Sequence, residues 1–320
     1  MSAYNKEEPA NPFFTVFTPT FNRKHTLPRL IASLQNAGCV EFEWLVIDDG
    51  SSDGTYEWLI DLRSKLDFPV RVYRQENSGK QSCHNAAVAL AKGTMIIILD
   101  SDDELAPRAL NMLKESWDSI PTDKKHHFAG ILGNSTDQNG CQIGNEFPES
   151  PMDGNHFLLT IGGIMSGDKL PCYRRDVLTR FPFPKIPFKQ VVPEGIVWNR
   201  ISKYYCIRCV NRNVAIVHRD INDKISLMNS YTLPSSNAYG KYMYFNECVE
   251  QFTQYNDIQF RIILIYSILC IRYGMHTNIG LKKLLSVQSG CAFLSILSFI
   301  GGVVFWAKDR TSEFLIDKCS

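Results

Sequence analysis

The stretch Met95-Ile96-Ile97-Ile98-Leu99-Asp100-Ser101-Asp102-Asp103 decides the fold and locates a site. Its five consecutive apolar residues predict a strand that is buried on both faces, as the strands of parallel sheets are. The strand runs directly into three carboxylates within four residues. In open α/β sheets, ligands bind beyond the carboxyl ends of the strands. The stretch therefore predicts a ligand site at the end of a central strand.

The three carboxylates, Asp100, Asp102 and Asp103, repel one another when they are all ionised. A divalent cation makes such a cluster favourable, and ligands that offer only oxygen suit Mg²⁺ or Mn²⁺. The alternative is a solvated acidic turn that caps the helix predicted to begin near Pro107. We favour the metal site because other strand ends of the chain are also polar.

The charge balance and the cysteine content limit the partners and the cellular location that we expect for this protein. The 320 residues carry 34 Lys and Arg against 33 Asp and Glu, so bulk charge implies no nucleic-acid partner. Residues 1–12 read as a disordered, polar leader without the pattern of a signal peptide. The ten cysteines are scattered, which indicates reduced thiols and a cytoplasmic protein. Cys206 and Cys209 have metal-site spacing, but residues three apart on a strand point to opposite faces, which argues against that role.

Strand and helix patterns alternate over the first hundred residues. This βαβ pattern predicts an α/β fold with a doubly wound, mostly parallel sheet and right-handed crossovers. The predicted strands are Phe13–Thr18, Phe42–Ile47, Val70–Tyr73 and Met95–Leu99, and the predicted helices are Leu27–Leu34, Thr55–Leu66 and Gln81–Ala91.

Polar groups follow three of these strands at what should be one edge of the sheet. Asp48 and Asp49 could accept hydrogen bonds from a base or a ribose. Thr18, Pro19 and Thr20 offer backbone and hydroxyl groups beside a ring. Lys80, at a helix start, could meet a phosphate with the help of the helix dipole. Each is ordinary turn chemistry or a solvated side chain when taken alone, and together they outline a nucleotide–metal pocket.

Four segments in order resemble the motifs of family 2 glycosyltransferases, which are inverting enzymes with a GT-A fold. They are Thr18-Pro19-Thr20-Phe21-Asn22-Arg23, Ile47-Asp48-Asp49-Gly50-Ser51-Ser52-Asp53-Gly54-Thr55, Asn77-Ser78-Gly79 with Asn85, and Leu99-Asp100-Ser101-Asp102-Asp103. The resemblance covers residues 13 to 220. Together with the changed, helical and apolar character of the last hundred residues, it divides the chain into a catalytic domain, 13–225, with a nucleotide-binding half (13–104) and an acceptor half (105–225), and a helical, membrane-associating C-terminal region, 226–320.

The resemblance implies roles for the site residues. Pro19 and Asp48 would hold the nucleobase, usually uracil, Asp100 would contact the ribose side, and Asp102 would bind the metal that bridges the diphosphate. The predicted donor-binding residues are Thr18, Pro19, Thr20, Asn22, Asp48, Asp49, Asn77, Gly79, Lys80, Asn85, Asp100 and Ser101. The chain departs from the family motif at His84, where the family commonly has Arg. The His84 side chain therefore either contacts a phosphate of the donor or packs in the core.

Two further residues receive roles through the resemblance. The family has Glu-Asp, then Trp and Arg on one helix, and the Asp is the general base. Glu194 falls on that Asp when counted back from Trp198, whereas Pro193 replaces the Glu. The alternative for Glu194 is a favourable charge at a helix N-terminus. In some relatives a His that reaches the metal stands at the position of His218. The predicted metal ligands are therefore Asp100, Asp102 and His218. The alternative for His218 is a structural role, because a single His after a strand is often structural.

The acceptor half and the tail are less regular. We expect a helix from Leu105 to about Ile120, a strand at Phe128–Leu132, a strand at Tyr204–Val210, another strand ending near His218, and a flap at Asn222–Ser226. Residues 284–307 contain no charge between Lys283 and Lys308. Twenty-four residues of helix would be roughly 36 Å long, enough to span a bilayer. The tail is predicted to lie in the membrane plane or to span it, and a helical lid is the alternative.

The sequence thus predicts a metal-dependent inverting transferase that uses Mn²⁺ or Mg²⁺. It would move a sugar from a nucleotide-sugar donor, with UDP as the nucleotide, to a glycan hydroxyl. The apolar C-terminal segment suggests that the protein is held at the cytoplasmic face of the membrane. The acceptor would then be a lipid-linked glycan at the inner membrane surface, and the reaction would belong to surface polysaccharide synthesis. The alternative is a catalytically impaired nucleotide-sugar-binding module, which the single acid at Glu194 would favour.

Overall fold

The two central strands, β1 (Phe14–Thr20) and β2 (Phe42–Asp48), are buried along their whole lengths. β1 pairs in parallel with β2 on one side and with β4 (Met95–Ile98) on the other. β3 (Val70–Arg74) pairs in parallel with β2 and is partly exposed, as the edge of the sheet. The four predicted strands of the nucleotide-binding half therefore form one parallel sheet.

The computed structural model describes residues 11–38, 40–186, 191–219, 235, 237–255, 257–277, 279 and 292–319. The chain divides into two compact units, one of residues 1–183 and 200–221 and the other of residues 184–199 and 222–320. The predicted domain boundary at residue 225, the flap at 222–226 and most of the predicted leader lie outside the described residues, so these predictions remain open.

Helices connect the parallel strands as predicted. They are α1 (Leu27–Gln35), α2 (Thr55–Leu62) and α3 (Lys80–Leu90). α1 buries Leu27, Leu30, Ile31 and Leu34, the positions whose helical spacing predicted it. These side chains join Phe14, Val16 and Trp44 of the strands in the core.

The second half of the sheet is mixed. Its elements are β5 (Glu104–Leu105), α4 (Ala109–Asp118), a 3₁₀ turn (Lys125–His127), β6 (Phe128–Asp137), β7 (Met152–Gly154), α5 (His156–Ile161), β8 (Lys169–Arg174), α6 (Arg175–Arg180), α7 (Gly195–Ser202) and β9 (Cys206–Val217). The strand order of the sheet is β3-β2-β1-β4-β8-β6-β9-β5, and β7 pairs with β9. β8 pairs antiparallel with both β4 and β6, whereas β6 and β9 are parallel.

Two predicted elements differ from the observed ones. The helix expected from Leu105 begins only at Ala109, because Leu105 pairs with Ala215 in the sheet and Arg108 has a left-handed φ of 61°. The two strands expected on either side of residue 211 are one strand, β9. Its polar segment at 211–213 is partly exposed, which made the sequence look interrupted. Cys206 is exposed and Cys209 is buried, and both are free thiols.

The second unit is helical, as predicted for the C-terminal region. It contains α8 (Ala238–Phe252), α9 (Phe260–Met275) and α10 (Ala292–Cys319). No described helix is both long enough and apolar enough to cross a membrane. Residues 284–291 of the predicted apolar segment lie outside the described part, and the remainder belongs to α10.

Candidate functional site

The ends of β1 and β2 bring Thr20 and Asp48 together in register. Asp48 is fully buried, and its Oδ2 accepts a hydrogen bond from the Ser51 N–H at 3.1 Å and lies 3.5 Å from Arg74 Nε. Asp48 Oδ1 and Thr20 Oγ1 are buried without a hydrogen-bond partner in the described structure. Buried polar atoms are normally paired, so these two atoms mark a place where a ligand could supply the missing groups.

Other predicted donor residues on β1 have structural contacts. The Thr18 hydroxyl accepts a hydrogen bond from Trp44 Nε1 at 3.0 Å inside the core, and Pro19 is buried opposite Ile47. Asn22 has a φ of 54°, donates its N–H to Ser51 Oγ and accepts from the Ser52 N–H. Asn22 therefore joins the turns that follow β1 and β2.

Hydrogen bonds to the Asp49 side chain stabilise the turn before α3. Its carboxylate accepts the N–H groups of Ser78 (2.9 Å) and Gly79 (2.8 Å) and the side-chain amide of Gln75 (2.7 Å). Gly79 has a φ of 89°, in the left-handed region that favours glycine. Asn77 lies in the same turn, and its backbone nitrogen would be 3.0 Å from a Cβ added at Gly50. This network holds the start of α3 and with it Lys80.

Lys80 Nζ lies 2.6 Å from Asp100 Oδ1 and 2.8 Å from Oδ2. The helix start and the end of β4 therefore meet, as predicted. Asp100, Asp102 and Asp103 bring carboxylate oxygens within 4.8 Å of one another. The adjoining Ser101 is buried, and its carbonyl accepts the Thr26 hydroxyl at 2.8 Å.

The acid cluster is electrostatically strained. Burial and the charge of Asp100 raise the pKa of Asp102. Burial and the charges of Asp100 and Asp102 raise the pKa of Asp103 to about 8. A cation among these oxygens would relieve the repulsion. The donor set, three carboxylates of which two are partly desolvated, fits a hard divalent cation such as Mg²⁺ or Mn²⁺.

Two arginines near the cluster received no role from the sequence. Arg23 is buried, and its guanidinium lies 3.4 Å from Asp102 Oδ2. Arg29 donates to the Asp102 carbonyl and lies 3.5 Å from Glu104 Oε1. Arg23 ends the first motif of the sequence, and a buried arginine needs an acidic partner, which is the signal that could have found this pair.

His218 lies at the end of β9 beside the same acids. Its N–H donates to Asp103 Oδ1 at 3.0 Å, and its Nε2 lies 2.5 Å from Glu104 Oε1. The strand end thus brings His218 to the cluster, although its ring nitrogen pairs with Glu104. Its role as a metal ligand remains a prediction.

His84 and Asn85, on α3, both contact Phe183. Asn85 exchanges two hydrogen bonds with the Phe183 backbone. His84 is buried, with its ring edge-to-face to Phe17 and Phe183 at 6.1 and 4.7 Å. Burial and the charge of Lys80 lower the pKa of His84 to about 3, so the imidazole is neutral. A neutral, packed His84 fits the packing interpretation of this departure from the family motif.

Glu194 belongs to the other compact unit. It occupies the turn immediately before α7, is partly buried, and accepts the Val197 N–H on its carbonyl at 2.9 Å. The predicted position at a helix N-terminus is therefore observed. Its catalytic role remains a prediction.

A cavity of about 510 Å³ lies along α2 and the loop before it. It is lined by Lys24, Ser51, Ser52, Gly54, Glu57, Trp58, Asp61 and Arg74. None of the predicted donor-binding residues is among them. The strand ends and the acid cluster, rather than this cavity, define the site.

The site lies at the carboxyl ends of a buried parallel sheet, with acids at the ends of β2 and β4, which is where open α/β sheets bind their ligands. The family model for Glycosyl transferase family 2 matches residues 15–124. This match confirms the predicted resemblance to the family for this segment of the chain.

Two curated relatives are similar to part of this chain. Chondroitin synthase of Pasteurella multocida is 37% identical over 105 residues, which are 32% of this chain and 11% of that protein. GalNAc(5)-diNAcBac-PP-undecaprenol beta-1,3-glucosyltransferase of Campylobacter jejuni is 30% identical over 138 residues, 42% of each chain. Each match thus spans less than half of the relative.

The fold extends beyond the matched segment. The crystal structure of S. aureus TarS 1-349 in complex with UDP-GlcNAc superposes with a TM-score of 0.62 at 17% identity, over 94% of this chain and 91% of that one. The mannosyltransferase PcManGT of Pyrobaculum calidifontis, in complex with GDP-Man and Mn²⁺, gives 0.53 at 14% identity, over 94% and 89%. The predicted GT-A fold with a helical C-terminal region is confirmed.

Proposed function

We propose that this chain is a metal-dependent, inverting glycosyltransferase that moves a sugar from a UDP-sugar to a glycan hydroxyl. The observation that carries the proposal is the cluster of Asp100, Asp102 and Asp103 at the end of β4 in a family 2 domain. The raised pKa values of Asp102 and Asp103 support a cation at this place.

The donor would lie across the ends of β1, β2 and β4. The N–H of a uracil ring is a donor that would satisfy the unpaired Asp48 Oδ1. Asp100 and Asp102 would hold the divalent cation, with His218 beside them, and Lys80 would face the diphosphate. A bound divalent cation supplies charge neutralisation for the departing nucleotide.

The acceptor step needs one carboxylate. The acceptor oxygen forms a bond to the anomeric carbon from the side opposite the nucleotide, while the bond from that carbon to the diphosphate oxygen breaks. Glu194 would accept the proton of the acceptor hydroxyl as general base. The N-terminus of α7, which follows Glu194, is a favourable position for a carboxylate.

The proposal also names an acceptor, a working location and a nucleotide. A lipid-linked glycan at the inner membrane surface is proposed because the name of one relative contains a diphospho-undecaprenol-linked glycan. The cytoplasmic face of the membrane would then be the working location of the protein. The structural neighbours hold both UDP-GlcNAc and GDP-Man, so the nucleotide must be tested directly.

A donor screen tests the proposal. The full chain is incubated with UDP-glucose, UDP-GlcNAc, UDP-galactose or GDP-mannose, with and without Mn²⁺, and with detergent-solubilised glycolipid acceptors. We expect release of UDP that depends on Mn²⁺ and acceptor. UDP-sugar affinity without release under every condition would favour the nucleotide-sugar-binding module instead, and release of GDP alone would overturn the choice of UDP.

A further inference from the structure

Helix α10 exposes a row of large aliphatic side chains. Ile296, Ile300 and Val304 are 59%, 55% and 61% exposed. Residues four apart on a helix share a face, so the three form one stripe, about 12 Å long at ~1.5 Å per residue. We call Ile296, Ile300 and Val304 the α10 stripe. Contiguous apolar surface of this kind on a folded protein marks an interaction site.

The buried face of α10 carries small and polar residues instead. Ser298, Gly302 and Asp309 are buried. A Cβ added to Gly302 would come within 2.5 Å of Ile271 Cγ2, so α9 and α10 approach closely at this point. A helix of a water-soluble domain places its large apolar residues inward and its polar residues outward, and α10 does the reverse.

The packed face of α9 has the same character. Three of its four buried positions are small (Ser267, Cys270 and Gly274), the fourth is Ile271, and Phe260 and Ile265 are exposed. Small residues between helices and large aliphatic residues outside are the arrangement of helices that face lipid. The α9–α10 pair is therefore packed for an apolar surrounding.

The two exposed charges that follow the α10 stripe, at residues 308 and 310, are both positive. Lys308 and Arg310 are exposed. Asp309 between them is buried and pairs with Arg272, at 2.7 Å from Nε to Oδ2, and with His276 at 3.1 Å. The acid is neutralised inside the helix pair, so the exposed charges at residues 305–310, where the side chains are described, are those of Lys308 and Arg310. Positive side chains next to an apolar face are attracted to anionic lipid headgroups.

We propose that the α10 stripe inserts into the interface of an anionic lipid bilayer, with Lys308 and Arg310 at the headgroup phosphates. The stripe suits shallow insertion, since an interfacial helix buries its apolar face only about 5–10 Å deep. No described helix is suited to crossing the bilayer. This inference does not depend on the chemistry of the donor site.

Vesicle co-sedimentation of the full chain tests the proposal. Vesicles of phosphatidylcholine are compared with vesicles that also contain phosphatidylglycerol. We expect the wild-type chain to sediment with the anionic vesicles. The triple variant Ile296→Gln, Ile300→Gln, Val304→Gln should lose at least about tenfold in partitioning, since each buried methylene contributes to interfacial binding. The double variant Lys308→Gln, Arg310→Gln should lose the preference for anionic vesicles.

Controls separate the stripe from general hydrophobicity and from misfolding. Ile164 is 38% exposed in the other unit, and Ile164→Gln should sediment as the wild type does. Circular dichroism must show wild-type helix content in the variants, and Ile300→Gln alone replaces the triple variant if the latter fails to fold.

Three outcomes would overturn the proposal. The first is a wild-type chain that sediments with neither kind of vesicle. The second is a folded stripe variant that sediments as well as the wild type. The third is a wild-type dimer in light scattering that the stripe variant converts to a monomer, without vesicle binding, because a second copy of the chain would then cover the stripe.

Discussion

Asn85 and Phe183, which are 98 residues apart, are joined by two hydrogen bonds. Asn85 Nδ2 donates to the Phe183 carbonyl at 3.0 Å, and the Phe183 N–H donates to Asn85 Oδ1 at 2.9 Å. One side-chain amide thus satisfies both backbone groups of a residue that follows α6. The pair fastens helix α3, whose first residue is Lys80, and thereby helps to hold Lys80 against Asp100.

Replacement of Asn85 by Ala tests whether this amide serves the fold or the donor. Both of its polar atoms are engaged by Phe183, so we expect the free energy of unfolding to fall by about 1–3 kcal/mol, the cost of unpaired backbone groups. UDP affinity in the presence of Mn²⁺ should change little. Urea unfolding and calorimetry measure the two quantities. Asn36→Ala, whose amide bonds only the nearby Ala32 carbonyl, is the control. A large loss of UDP affinity at unchanged stability would instead support the predicted donor contact.

Asp102→Asn should remove the cation site without harming the fold. The substitution deletes one carboxylate from a cluster whose members repel, but it also removes the acid that faces the buried Arg23, so these two effects oppose each other and the melting temperature without metal should change little. Mn²⁺-dependent UDP affinity should fall at least about 10–100-fold, the range lost even for outer partners of metal sites. The exposed Asp118 on α4 pairs with Lys114 and Lys125, and Asp118→Asn should leave affinity unchanged. Unaltered Mn²⁺ dependence in Asp102→Asn would show that the metal is held elsewhere.

Arg23→Gln should make the fold depend on metal. Arg23 faces Asp102 at 3.4 Å, so its loss leaves a partly buried carboxylate without this cation. We expect the free energy of unfolding without metal to fall by about 1 kcal/mol, because the charged partner of a partly buried group is removed. Saturating Mn²⁺ should restore more stability to this variant than to the wild type. Arg63→Gln on the exposed end of α2 is the matched control. An equal response to Mn²⁺ in both chains would contradict a role for Arg23 at the cluster.

The pH dependence of stability reports on His84. Burial and the charge of Lys80 hold its pKa near 3, whereas the unfolded chain binds a proton near pH 6.5. At this residue the unfolded state therefore binds more protons, and the His84 contribution to stability falls as the pH drops below about 6.5, by up to ~1.4 kcal/mol per pH unit. Asp103, whose pKa is raised to about 8, acts in the opposite direction, so the comparison is between variants: between pH 7 and pH 5, His84→Phe should become more stable relative to the wild type in guanidinium unfolding. The exposed His127, changed to Phe, should keep the wild-type slope.

The parallel half of the fold was predictable because its signals are local. Met95–Leu99 is apolar at every position, and the helix α1 repeats its apolar residues at helical spacing, so burial and periodicity decide both. β9 was divided in error because its polar segment at 211–213 passes through a region of partial exposure, and a pattern of hydrophobicity cannot distinguish such a segment from a turn. Leu105 pairs with Ala215 across 110 residues, which no local pattern contains.

The site was predictable as a set of strand ends, but less so as a set of contacts. Asp48, Lys80 and the acid cluster lie where the alternation of strands and helices places them. The sequence could not show that Thr18 turns its hydroxyl to Trp44, that Asp49 binds the turn before α3, or that Arg23 faces Asp102. These contacts depend on side-chain direction, which is determined by packing between distant segments.

Glu194 is the residue whose replacement tests the proposed reaction most directly. Glu194→Gln keeps the size of the side chain and a hydrogen-bonding group but cannot accept a proton from the acceptor. Donor and metal binding should survive, since Asp48, Asp100 and Asp102 are unchanged, whereas sugar transfer should fall by roughly 10²–10⁴-fold. Single-turnover transfer and UDP calorimetry on the same preparation measure the two effects. Asp176, which pairs with Arg174, provides the control Asp176→Asn, which should transfer at the wild-type rate. If Glu194→Gln transferred sugar normally and Asp176→Asn did not, the general base would have to be reassigned to Asp176.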